Sequence, residues 1–270
     1  MFLPENIDLA HAENYDLSIR LTPDGFSFCI YSVSDPTVFY YQETGMGSKF
    51  TYTESVKRLI FDLGFFSQPF RSTKATVVSP QFTLVPGKFF DRKRAKALFH
   101  YNFHETDGKI LSDSPLEGIH IVYHLDEEVH SFLSRNLWNP HFYHQSTPLL
   151  KLFATRAAER GDRCCFVDFH DRFVSLFAFD EGLLTANMFP ATHPQDTLYY
   201  ITSAWEKLAF DQSADSLLLS GNLDGHSEVI DELSRFIAKV EQTELHPKTN
   251  LSGEQLRTLP TDIVAILCES

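Results

Sequence analysis

Twelve histidines, four cysteines and scattered carboxylates are the residues of this chain that could do chemistry, and their spacing decides which chemistry that would be. His120 and His124 are four apart; on a strand this separates them by roughly 13 Å, too far to share one ion. His141 and His144 would chelate only on a helix, and Pro140 with its aromatic neighbours predicts a loop or short turn there. No H-E-x-x-H, paired C-x-x-C or calcium-loop pattern occurs, so no metal is expected and the histidines read as polar or core residues. Cys29, Cys164 and Cys165 fall inside predicted strands and act as small apolar residues; Cys268 is the fourth. Adjacent Cys164 and Cys165 point to opposite faces of one strand, which argues against a joint redox role. There is no G-x-S-x-G elbow, Walker A sequence or G-x-G-x-x-G turn. Asp126-Glu127-Glu128 opens a predicted helix, where negative charge complements the dipole and needs no catalytic explanation.

The elements that would position any site occur in a repeated order. Leu17–Leu21, Phe26–Val33 and Val38–Gln42 read as three strands, with turns at Thr22-Pro23-Asp24-Gly25 and Ser34-Asp35-Pro36. Cys164–Phe169, Phe173–Phe179 and Leu183–Phe189 repeat them, with turns at His170-Asp171-Arg172 and Asp180-Glu181-Gly182. Each meander precedes a helix, a strand and a helix. In the first half the helix is Tyr52–Phe66, with Val56, Leu59, Ile60 and Leu63 on one face and Thr51 or Thr53 as cap. Ala75–Ser79 reads as a buried strand and Phe82–Val85 as a second extended piece, followed by a helix over Phe89–Tyr101. The polar stretch Glu105–Pro115 reads as a loop, Gly118–Leu125 as a strand, and Asp126 caps a helix over Glu127–Leu137. Pro148–Glu159 is a helix closed by Gly161 that links the halves.

In the second half His193-Pro194 opens a helix with Leu198, Ile201, Trp205 and Leu208 on one face. Leu217-Leu218-Leu219 is a short buried strand ending in Ser220-Gly221-Asn222. Ser227 caps the next helix, whose stripe is Val229, Leu233, Phe236, Ile237 and Val240. Ser252 and Gln255 form a capping box, and Asp262–Leu267 reads as a terminal strand. A duplicated unit of this kind predicts two similar lobes facing each other across a cleft, residues 1–150 and residues 151–270, the first with an insertion.

A hydrophobic fraction of 43% with 25 Phe indicates well-packed domains. The net charge of −13 opposes non-specific binding to nucleic acid or anionic membranes. The basic run Arg92-Lys93-Arg94 with Lys96 reads as the solvated face of a helix. The amino terminus has neither the positive charge nor the apolar stretch of a secretion signal, and no apolar run is long enough to span a bilayer. A reduced, cytoplasmic protein without membrane insertion is expected. Trp138, His141, Phe142 and Tyr143 would either pack between the lobes or expose a surface for a protein partner.

The strand order resembles the duplicated ribonuclease-H-like lobes of the actin, Hsp70 and sugar-kinase superfamily. More closely, Asp16–Leu21, Phe82-Thr83-Leu84-Val85-Pro86 before a Phe-rich helix, Ile121-Val122-Tyr123 and Phe166–Phe179 resemble a family of uncharacterised Bacteroidetes proteins with an actin-like ATPase fold. The resemblance implies an α/β fold of two βββαβα lobes. It also implies three nucleotide-holding elements that can be looked for residue by residue. The first, an Asp-x-Gly turn after the first strand, has no counterpart: no carboxylate closes Leu17–Leu21, and Asp24-Gly25 reads as hairpin chemistry. The second falls on Val167-Asp168-Phe169-His170-Asp171, where Asp168 keeps the carboxylate and Phe169 and His170 replace small residues that would let backbone N–H groups reach phosphate. The third, a Gly-Gly stretch near adenosine, falls on Ser220-Gly221-Asn222 with one glycine retained. The reading is therefore a non-enzymatic cytoplasmic scaffold or interaction protein, a pseudo-ATPase, with another protein as partner. The alternative is an ATP-binding protein or weak ATPase, with Asp168 on the Mg-bound phosphate and Ser220, Gly221 and Asn222 near adenine.

Overall fold

The computed structural model describes residues 3–23, 25–45, 49–104 and 107–269. Pairing of apolar, β-branched segments across tight turns builds the first sheet. β1 (Asp16–Thr22) is antiparallel to β2 (Gly25–Tyr31), which is antiparallel to β3 (Phe39–Gly45). Thr22 pairs with Gly25, so the first hairpin is closed by a two-residue loop; Asp24 lies outside the described residues. α1 (Tyr52–Asp62) starts at Thr51, whose hydroxyl accepts from the Glu54 N–H while the Glu54 carboxylate accepts from the Thr51 N–H. The chain returns as β4 (Ser72–Val77), parallel to β1.

An insertion follows, with its own small sheet. β5 (Phe82–Pro86) leads through two 3₁₀ turns to α2 (Ala95–Asn102), β6 (Gly108–Leu116) and β7 (Ile119–Asp126), with β7 in the middle of three antiparallel strands. Val85, Ala95, Phe99 and Val122 form its core. Two expectations are corrected here. The helix expected from Phe89 begins at Ala95, because Asp91 accepts from the Lys93 N–H and tightens Arg92–Arg94 into a 3₁₀ turn. The basic run is accordingly solvated on that turn. From Gly108 on, the stretch expected to be a loop is β6, an edge strand whose polar residues have a sheet partner on one side only; Glu105 and Thr106 lie outside the described residues.

Asp126 then caps α3 (Glu127–Asn136) through the Val129 N–H, and β8 (His141–His144) joins the first sheet parallel to β4. That strand replaces the loop or turn expected around His141. The sheet order is β3-β2-β1-β4-β8. Trp138 is 57% exposed, whereas Phe142 and Tyr143 are half-buried in β8.

The second unit repeats this order. α4 (Ser146–Arg160) ends at Gly161, which takes a positive φ of 69°. β9 (Cys164–Phe169), β10 (Phe173–Phe179) and β11 (Leu183–Pro190) form the meander. α5 (Pro194–Lys207), β12 (Ser216–Gly221), α6 (Ser227–Phe236) and β13 (Lys239–Gln242) complete a sheet ordered β11-β10-β9-β12-β13. Ser227 is the first residue of α6 and not its cap; His226 holds the N-cap position without a side-chain capping bond, and Val240 lies in β13 instead of extending the helical stripe. α7 (Gly253–Thr258) precedes α8 (Thr261–Glu269), a helix where a terminal strand was expected. Every residue from Thr261 to Leu267 is buried, so the apolar run has no polar face to reveal its period.

Clustering of contacts divides the chain into two compact units: one reaches Thr147 and includes Lys248–Asn250, the other takes Pro148–Pro247 and Leu251–Glu269. Alternate residues of β9 serve opposite faces of the second sheet. Cys165, Val167 and Phe169 join Ile201, Trp205, Val229 and Leu233 in the core under α5 and α6. Phe166 instead stacks on Phe153 of α4, with ring centroids 4.6 Å apart. The Ser252 hydroxyl accepts from the Gln255 N–H and the Gln255 side-chain oxygen accepts from the Ser252 N–H. Ser252→Ala removes one arm of this box, and a loss of about 1 kcal/mol in equilibrium urea unfolding is the expected result.

Candidate functional site

Asp168 and Ser220 are neighbours because β9 and β12 run parallel in register, Asp168 opposite Ser220 and Phe169 opposite Gly221. Asp168 is fully buried, and its carboxylate accepts a 2.7 Å hydrogen bond from the Ser220 hydroxyl. The Thr261 side chain, at the start of α8, also favours the ionised carboxylate. His170 Nε2 lies 2.7 Å from the other carboxylate oxygen, off the line of an aligned N–H bond, so this contact is charge proximity more than a directed hydrogen bond. Burial pushes the Asp168 carboxyl up; the adjacent His170 ring and the Ser220 and Thr261 side chains outweigh it and hold the group below the usual carboxylate range.

The loop after β12 closes on the loop after β9. Gly221 has φ +84°, and a Cβ there would stand 2.1 Å from the Phe169 carbonyl oxygen. The Asn222 N–H donates to that same carbonyl at 2.8 Å, and its side-chain amide donates to Asp171 at 2.9 Å. The His226 ring contacts the His170 carbonyl oxygen through Nε2 at 3.0 Å and packs 4.9 Å from the Phe169 ring. Phe169 does not obstruct the loop as expected: it points to the opposite face of the sheet, into the α5–α6 core. His170 alone turns back on the carboxylate. Asp168, Ser220, Gly221 and Asn222 thus meet in one corner with His170, joined by Thr261 and His226, which sequence reasoning missed. Thr261 was hidden by reading its segment as a strand, and no local pattern marks His226.

The first sheet places Arg20 at the position matching Asp168, one residue before the last parallel pair, Leu21 with Val77. Arg20 is buried. Among the described residues no group of three or more His, Cys, Asp or Glu is arranged to hold a metal ion. His144 is fully buried, its ring contacting the Ser79 carbonyl oxygen at 2.8 Å, and burial pulls it down to about 4. Burial also pushes the Cys164 thiol up to about 11 and raises Cys165 further, so both are inert apolar packing. No helix among the described residues is long and apolar enough to cross a membrane.

Two five-stranded sheets of identical order, each opening with a three-stranded meander, define the actin-like ATPase fold. The chain is similar over 97% of its length, and 98% of the other's, to a Bacteroides thetaiotaomicron protein with an actin-like ATPase fold and unknown function (TM-score 0.83, 25% identity). It shares the fold with a structure of the PilM–PilN type IV pilus biogenesis complex (TM-score 0.60, 12% identity), covering 94% of this chain and 97% of that one. No curated protein matches. Residues 4–240 match the family described as "Protein of unknown function (DUF3822)", and the chain belongs to that family.

Proposed function

We propose that this protein is a non-enzymatic, cytoplasmic scaffold that works by binding another protein and has kept the actin-like ATPase fold without its nucleotide chemistry. The observation that carries the reading is the state of Asp168. A carboxylate serving a metal-bound phosphate has to face solvent or ligand, and this one is buried and already engaged by Ser220, Thr261 and His170. The hairpin loop beside it is tied to Asn222 and His226. In the first sheet, a buried arginine stands at the matching position. The PilM–PilN complex supports a protein as partner by analogy of fold alone.

A ligand held only by the native state must raise the unfolding midpoint as its concentration rises. The expected result is an unchanged midpoint up to about millimolar Mg-ATP. A concentration-dependent rise, lost in Asp168→Ala, would replace this reading with that of an ATP-binding protein using Asp168, Ser220, Gly221 and Asn222.

A further inference from the structure

A groove of about 730 Å³ lies on the second unit, within the span of roughly 300–1,000 Å³ common to ligand sites. Leu198, Thr202, Trp205 and Glu206 of α5 form one wall, at the i, i+4, i+7 and i+8 positions of a single helical face. Phe236 and Ile237 at the end of α6 form the other, and the segment from Phe210 to Ser213 closes one end. Phe236 is 52% exposed, a large ring left in water beside an apolar floor. Trp205 is only 6% exposed, and its indole N–H has no acceptor among the described residues. The charged side chains of the lining are Glu206 and Asp211; among the described residues no lysine or arginine lines it. Asp211 stays ionised at the rim, because the Ser213 and Ala214 N–H groups donate to it and hold it below the usual carboxylate range.

We infer that this groove docks a basic amphipathic helix of a partner protein. The walls decide the shape of the occupant. They are faces of α5 and of the end of α6, and no strand residue is among the lining that is described. An extended peptide would find no ladder to join, whereas a helix satisfies its own backbone and needs only an apolar face to bury. The rim decides the charge: two carboxylates without a counter-cation favour lysine or arginine flanking that apolar face.

The inference rests on the interaction-protein reading, and its test separates the two. The chain has two tryptophans, so Trp138→Phe leaves Trp205, lining the groove, as the single indole to excite selectively at its red edge. The probe is a labelled ~14-residue peptide free of Trp and Tyr, with leucines at helical spacing on one face and lysines elsewhere. It is expected to bind at about micromolar affinity, to change Trp205 emission, and to bind at least ~10-fold more tightly than a scrambled peptide of the same composition. Phe236→Ala should weaken binding by about tenfold and Glu206→Lys by about fivefold, with unchanged unfolding midpoints, since both side chains are exposed. Equal binding of the scrambled peptide, no saturable binding up to ~1 mM, or full affinity in both variants would overturn the groove assignment. Such a failure with a flat Mg-ATP titration removes this surface alone; a nucleotide-dependent midpoint removes the parent reading whatever the peptide does.

Discussion

Gly221→Ala is expected to destabilise the second unit by about 3–5 kcal/mol, among the largest single-methyl effects available in this chain. Two costs add at that position. The φ of +84° is a conformation L side chains rarely adopt, and the new Cβ would sit 2.1 Å from the Phe169 carbonyl oxygen. That oxygen is backbone in a central strand and cannot rotate away. Relief requires β12 to part from β9, which breaks the Asn222 N–H bond to the same carbonyl. Gly161→Ala is the control: φ is +69°, yet nothing lies within 4 Å of the new methyl. It should lose only the conformational part, about 1 kcal/mol. Denaturant unfolding of the two variants checks the difference, and equal losses would show that the close approach at Gly221 has no energetic weight.

Asp168→Ala is expected to lose about 3–5 kcal/mol while leaving the response to Mg-ATP flat. Removing the carboxylate strands the Ser220 and Thr261 hydroxyls in the interior and leaves the His170 ring without the partner that lay 2.7 Å away. Asp168→Asn keeps the shape and an acceptor for Ser220, so it should fall between wild type and alanine. The pH dependence has a definite sign. The folded carboxyl lies below its unfolded value of about 4, so its contribution is complete above that pH and disappears as pH falls through the folded value. The wild-type stability curve should therefore drop more steeply below about pH 4 than that of Asp168→Ala. Parallel acid limbs would mean that the carboxylate is no better stabilised in the folded chain than in the unfolded one.

Much of the fold was legible where local signals agreed. β9 and β10 follow the predicted bounds because apolar runs are cut off sharply by His170-Asp171-Arg172 and Asp180-Glu181-Gly182. The Ser252 and Gln255 box marks α7 for the same reason. The misreadings have separate physical causes. β6 is polar because it is an edge, and Pro115 sits in its irregular register near Leu116, where a missing N–H is tolerated. β8 and β13 are four residues long, too short for an alternation to show. α8 is buried over Thr261–Leu267, so burial erased the pattern that would have named it a helix. The corner around Asp168 was half visible. Superfamily position pointed to Asp168 and Ser220, but their mutual bond joins residues 52 apart in sequence and only the sheet register brings them together. The direction of Phe169 follows from the alternation of β9, the same rule that sends Cys164 and Cys165 to opposite faces.

The corner also bears on how this protein can change. Carboxylate, hydroxyls and imidazole there answer one another, so exchanging any one of them orphans the rest. Phosphate chemistry at this corner would require freeing Asp168, unhooking Asn222 and His226 from the hairpin, and replacing a buried guanidinium in the other sheet. Each of those steps alone weakens folding before it gains anything. The arrangement commits this corner to holding β9 and β12 together, so a new contact costs folding least where it is made on an exposed surface.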